Sequence, residues 1–113
     1  MTERVEKYLS DVLVAIEFIE EFTKETIDFN SYSLDFKTQS ATERKLVIIG
    51  EALTKIRQEE STIEVSFGKE IIGFRNRLVH AYDSIDNAIV WTIIKRHLPQ
   101  LKTEINNLIE SNK

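Results

Sequence analysis

Apolar residues recur along this chain at helical spacing. Val5, Tyr8, Val12, Ala15, Ile16, Ile19 and Phe22 advance mostly in steps of three and four, the period of an amphipathic helix. Glu3, Glu6, Lys7, Asp11, Glu17, Glu20 and Glu21 fill the other face. The pattern predicts a first helix over residues 3–26.

Residues 27–39 keep no sustained period and mix Asp, Asn and Ser with aromatics. They are expected to connect, with Phe29, Tyr32, Leu34 and Phe36 tucked under the helices. Ser40-Ala41-Thr42-Glu43 has the form of a capping box. Leu46, Ile49, Leu53 and Ile56 follow at helical spacing, which predicts a second helix over 41–59. Gly50 inside it costs up to about 1 kcal/mol relative to alanine, and close approach of another helix is the expected reason. Ser61-Thr62-Ile63-Glu64 offers a further cap. Ile71, Ile72, Phe74, Leu78 and Val79 predict a third helix over 68–81. Asp83-Ser84 offers an N-cap for a fourth, carrying Ile85, Ala88, Ile89, Trp91, Ile93 and Ile94. Pro99 lacks an amide donor and should kink or restart the helix. Leu101, Ile105, Leu108 and Ile109 continue a last helix.

Four or five helices with short connections predict an all-α, antiparallel bundle in one domain over residues 1–113. Helix 1 and the region of helices 3 and 4 are apolar on more than one side, which points to a homodimer.

Composition narrows the chemistry. The chain has 113 residues, 42% hydrophobic and 30% charged, a globular balance. It has no cysteine, which excludes disulfides, thiolate metal sites and a cysteine nucleophile. Two histidines without clustered partners argue against a structural zinc site. No apolar run approaches the roughly 20 residues that span a bilayer, and the N-terminus lacks a signal-peptide pattern. A cytoplasmic protein is expected, with no membrane partner. A net charge of −4 argues against a general nucleic-acid coat. Yet Lys69, Arg75, Arg77 and His80 stand against Glu70 alone in segment 69–80. A focused basic patch on an acidic body suits contact with one or a few phosphates.

The densest chemistry is Arg75-Asn76-Arg77-Leu78-Val79-His80-Ala81-Tyr82. Each helical residue turns about 100°, so Asn76 and His80 are neighbours on one face. Arg75 and His80 lie roughly 140° apart by the same turn. They can serve one phosphate only if the helix ends near His80 or a second copy supplies one of them. A twofold dimer with this helix at the axis meets that need. Histidine exchanges protons near neutral pH, and arginine offers a planar fork to phosphate oxygens. Asn76 is suited to orienting the imidazole or binding a ribose. No metal or other cofactor is required by this set.

The string Phe74 to Tyr82, followed by Ile85-Asp86, Val90-Trp91 and Leu98-Pro99-Gln100-Leu101, resembles the HepT-like family of HEPN-domain proteins. Arg44 and Gly50-Glu51-Ala52 upstream resemble it too, so the resemblance covers about the whole chain. It implies a helical homodimer acting as the toxin of a type VII-like toxin–antitoxin pair, a metal-independent ribonuclease that cuts tRNA or mRNA. By this resemblance Arg75 binds the scissile phosphate and His80 is the acid/base group. Asn76 and Arg77 are supporting contacts to RNA. Tyr82 is the residue to which a minimal nucleotidyltransferase antitoxin transfers AMP. DNA is not expected as a partner.

Elsewhere, His97 before Pro99 is expected at the surface or capping a helix, with RNA contact beside Lys95 and Arg96 as the sharper reading. Trp91 is expected in core or dimer packing. Arg44 and Glu51 share a helix face and suit an ion pair. A second reading, from a different functional class, is a non-catalytic helical module that docks a nucleotidyltransferase.

Overall fold

The computed structural model describes residues 1–81, 83 and 85–113. Its elements in order are α1 (Glu3–Thr23), α2 (Phe29–Leu34), α3 (Phe36–Glu59), α4 (Gly68–His80), α5 (Asn87–Thr92) and α6 (Leu98–Ser111), with a π-helical stretch, Ile93–His97, joining the last two. No strand forms among the described residues.

The apolar stripe of α1 is the floor of the core. Val5, Leu9, Val12 and Ile19 are fully buried there, against Leu46, Ile49 and Ile56 of α3 and Leu101 and Ile105 of α6. Each such side chain contributes roughly 1.5–3 kcal/mol on leaving water. Surface pairs report the directions of the helices. Arg4 near the start of α1 meets Glu59 at the end of α3 at 2.9 Å. Glu6 accepts from Asn112 beyond the end of α6, while Glu20 near the end of α1 meets Lys102 early in α6 at 2.9 Å. Both α3 and α6 therefore run antiparallel to α1, as the bundle reading expected.

The ends of the elements depart from the sequence reading in several places. Helix 1 stops at Thr23 rather than near residue 26. Thr26 N–H bonds back to the Thr23 carbonyl in a turn, and Asp28 then caps α2 through Ser31 N–H at 2.8 Å. The expected connection is thus partly helical. Of its four aromatic and leucine residues only Tyr32 is tucked in; Leu34 and Phe36 are 70% and 73% exposed. Helix α3 begins at Phe36, five residues before the expected start at 41, and the Ser40 capping box is not its start. Asp35 takes that role, accepting from Thr38 N–H at 3.0 Å and from the Thr38 hydroxyl at 2.6 Å. Ser61 caps nothing; α4 instead follows Phe67, which has left-handed φ of 63° and no side-chain cap. Asp86 caps α5 through Ala88 N–H at 2.8 Å. Of the expected Asp83-Ser84 cap, Ser84 lies outside the described residues.

Pro99 stands in the first turn of α6, where the α-helix resumes after the π-helical stretch, as the restart reading expected. Before it the backbone widens, with Leu98 N–H bonded to the Ile93 carbonyl five residues back. A proline ring collides with the carbonyl four residues before it, and a π turn moves that carbonyl aside.

Candidate functional site on helix α4

Helix α4 turns Ile71, Phe74 and Leu78 into the core. The residues between them must then face outward or sideways. Asn76, Arg77 and His80 are exposed and Arg75 is half-buried, on the flank that meets α3. The helix ends at His80, with Ala81 N–H closing on the Arg77 carbonyl at 2.8 Å. That is one of the two arrangements the 140° separation of Arg75 and His80 called for.

Arg75 is held at both ends. Its stem crosses α3 at Gly50, where a Cβ would lie 2.4 Å from the Arg75 Cβ. At its tip, Nη1 donates to Asn76 Oδ1 at 2.9 Å and Nη2 lies 3.7 Å from Glu51 Oε1. Its Nε is buried and makes no hydrogen bond. The expected close approach at Gly50 is present, and the neighbour is Arg75. Sequence reasoning placed Asn76 beside His80; the structure gives its oxygen to Arg75. It paired Glu51 with Arg44, whereas Glu51 faces Arg75 across the helix contact. The signal available was Gly50 itself, because a glycine in mid-helix marks the place where another element comes close.

His80 is exposed at the helix end. Tyr82 lies outside the described residues. Lys69 and Gly73 share the outer face of α4 with Asn76 and His80, by their spacing of three and four residues. Gly73 is exposed, and a Cβ built on it meets nothing within 4 Å. A groove of about 570 Å³ between α4 and α5 is lined by Glu70, Gly73, Arg77, Ile89 and His97 among others. A cleft of about 580 Å³ with an apolar floor lies at the other end of α4, under residues 61–70, and Arg75, Asn76, Arg77 and His80 do not line it. Arg77 lines the groove beside α5, Arg75 lies half-buried against α3, and Asn76 and His80 are exposed.

His97 corrects its expectation. It is half-buried and stacks on Phe67 with ring centroids 3.7 Å apart; it holds the N-cap position of α6, but its side chain makes no capping hydrogen bond. The stack fixes Phe67 in its left-handed conformation, rare for a non-glycine residue. Ser66 N–H bonded to Glu104 at 2.9 Å secures the same turn. This clamp sets where α4 begins. Trp91 packs as expected at the core's edge, tilted on Tyr32 with centroids 5.5 Å apart, and Lys95 lies 5.1 Å from its ring.

A sequence model of the family described as ribonuclease HepT-like matches residues 12–108, which include all of α4. The chain belongs to the HepT-like ribonuclease family. It is 39% identical over 102 residues to "Probable ribonuclease HepT" of Thermococcus cleftensis, covering 89% of this chain and 92% of that one. It is 37% identical over 103 residues to "Putative RNase MJ1380" of Methanocaldococcus jannaschii, covering 89% and 93%. A longer protein of the same organism, "Gamma-glutamylcyclotransferase and putative RNase MJ0434", is 33% identical over 112 residues, and the match spans 50% of its length. No solved structure matches. Among the described residues no helix is long and apolar enough to cross a membrane.

Proposed function

We propose that this HepT-like chain is a metal-independent endoribonuclease that works as a homodimer and serves as the toxin of a toxin–antitoxin pair. The observation that carries this reading is an arginine fixed on the flank of α4, five residues before a solvent-facing histidine at the helix end. Fixing a donor before substrate arrives removes the cost of ordering it in the transition state.

The chemistry follows from these groups. The imidazole of His80 takes the proton of a ribose 2′-OH. The 2′-oxygen then bonds to the adjacent phosphorus, and the bond from phosphorus to the 5′-oxygen breaks. That oxygen leaves with a proton from an imidazolium, supplied by the His80 of a second copy. The products are a 2′,3′-cyclic phosphate and a 5′-OH end. Arg75 binds the phosphate oxygens as charge builds on them. Asn76 steadies the guanidinium and Arg77 contacts a neighbouring phosphate. DNA lacks the 2′-OH and is not cut. The substrate is RNA, of the tRNA or mRNA class, and no membrane takes part.

Three features support the homodimer. Gly73 sits bare in the middle of the exposed face of α4 at a cost of up to about 1 kcal/mol relative to alanine, with no intramolecular contact that a Cβ would disturb. Ile89, 38% exposed, lines the same groove as Gly73, and Val79, 44% exposed, lies further along α4. Two copies of α4 crossing at Gly73 cover these side chains and bring the two His80 residues to one cleft.

The antitoxin of this reading is a minimal nucleotidyltransferase. The Tyr82 hydroxyl oxygen attacks the α-phosphorus of ATP and pyrophosphate leaves. The AMP adds negative charge two residues past His80, where it repels an RNA phosphate. Treating the purified protein with ATP and a cognate nucleotidyltransferase should add one AMP per chain by mass and stop cleavage. Tyr82→Phe should cleave as the parent does and escape inhibition. Persistent inhibition of Tyr82→Phe would place the control elsewhere.

A further inference from the structure

Helices α3 and α4 approach closely at Gly50. A Cβ there would lie 2.4 Å from the Cβ and 2.8 Å from the Cγ of Arg75, and 3.5 Å from the Ile71 carbonyl oxygen. The two nearest atoms belong to the root of the Arg75 side chain, tied to the backbone of α4. They cannot swing away as a flexible tip can. The missing side chain of Gly50 is therefore a notch through which the Arg75 stem runs. Beyond the notch the guanidinium meets Asn76 Oδ1 at 2.9 Å and Glu51 Oε1 at 3.7 Å. The Glu51 carboxylate is half exposed, so its pairing with Arg75 adds little to stability. It does set a direction for the tip, as Gly50 does for the root.

We propose that Gly50 is a positioning residue for Arg75, with Glu51 as its second support. Together they hold the guanidinium toward solvent before RNA binds. The functional half of this proposal rests on the ribonuclease reading; the seating of Arg75 stands on the geometry alone.

The test has a readout for each half. In the parent, the buried Nε–H of Arg75 should give a resolved NMR signal that exchanges slowly with water. Gly50→Ala should lose or shift that signal, because the root of Arg75 must move. In cleavage assays the same variant should lose about a hundredfold in kcat, the scale of a small misplacement of a catalytic group, with KM changed far less. Glu51→Gln, which keeps the shape and drops the charge, should lose less than Gly50→Ala and still fold. Where Gly50→Ala fails to fold, the double variant Gly50→Ala/Arg75→Gly removes the facing Cβ and should fold again.

An unchanged Arg75 signal with parental kcat in Gly50→Ala would overturn the proposal. So would a double variant that stays unfolded, since the obstruction would not be with Arg75. A parent with the slow Arg75 signal but no cleavage would leave the seat standing and remove the ribonuclease reading.

Discussion

Arg75 and His80 lie five residues apart on one helix, yet the fold treats them oppositely. Arg75 is built into the contact between α3 and α4. Gly50 passes its stem and Asn76 and Glu51 face its tip. His80 stands exposed on the last residue of α4. The difference teaches which half of the site one chain prepares alone. In the proposed ribonuclease, the group assigned to the phosphate is placed by packing within a single chain. The group assigned to proton transfer is exposed, and in that proposal it meets a second copy and the RNA.

The largest expected effect comes from removing either group. His80→Ala should lower the cleavage rate by on the order of 10²–10⁴-fold, the usual yield of general acid–base catalysis. Thermal unfolding should stay close to the parent, because the side chain is exposed. Unfolding of His80→Ala would make the residue structural. Arg75→Lys keeps the charge and loses the fork. It should cost about tenfold or more in cleavage, the worth of one charge-assisted hydrogen bond of roughly 1.5–3 kcal/mol. Parental activity in Arg75→Lys would reduce Arg75 to a point charge and erase the contrast with His80.

The next effect sharpens the contrast from below. Phe74 is 6% exposed beneath the motif, and Phe74→Ala should destabilise the fold by about 3–5 kcal/mol, read by urea denaturation. Gly73→Val should act on the other side of the helix. It leaves each protomer folded and shifts the monomer–dimer balance, measured by sedimentation, together with a loss of cleavage. Gly73→Val that stays dimeric would move the interface away from the outer face of α4.

The smallest effect lies far from the site. The carboxyl of Asp35 is held below the ordinary carboxylate range by hydrogen bonds from the Thr38 hydroxyl and then its amide. The ionised cap stabilises the fold fully above the ordinary range, and that contribution is lost as pH falls through the lowered value. Asp35→Ala should therefore lower Tm at neutral pH, and the gap from the parent should narrow below about pH 4. A gap that widens in acid would reverse the assignment.

The helices were legible because their apolar faces are continuous stripes, as in α1 from Val5 to Ile19. Their ends were less so. Ser40 and Glu43 have the spacing of a cap but sit inside a helix that Asp35 has already started, and Glu43 is buried there. The π turn before Pro99 was not legible, since proline announces only that an ordinary turn must fail. On α4, the string beginning at Arg75 marked the helix that carries Arg75, Asn76, Arg77 and His80, and Gly50 signalled a close approach. Neither named the other, because the register of α3 against α4 is set by packing between distant segments. The Phe67–His97 stack was hidden for the same reason, across thirty residues of sequence.

The most direct test of the central claim is RNA cleavage in EDTA by the purified protein, beside Arg75→Ala and His80→Ala variants of matched fold. The account predicts cleavage by the parent alone, leaving 2′,3′-cyclic phosphate ends. A folded, unmodified dimer that cleaves neither tRNA nor mRNA, or variants that cleave as well as the parent, would contradict it.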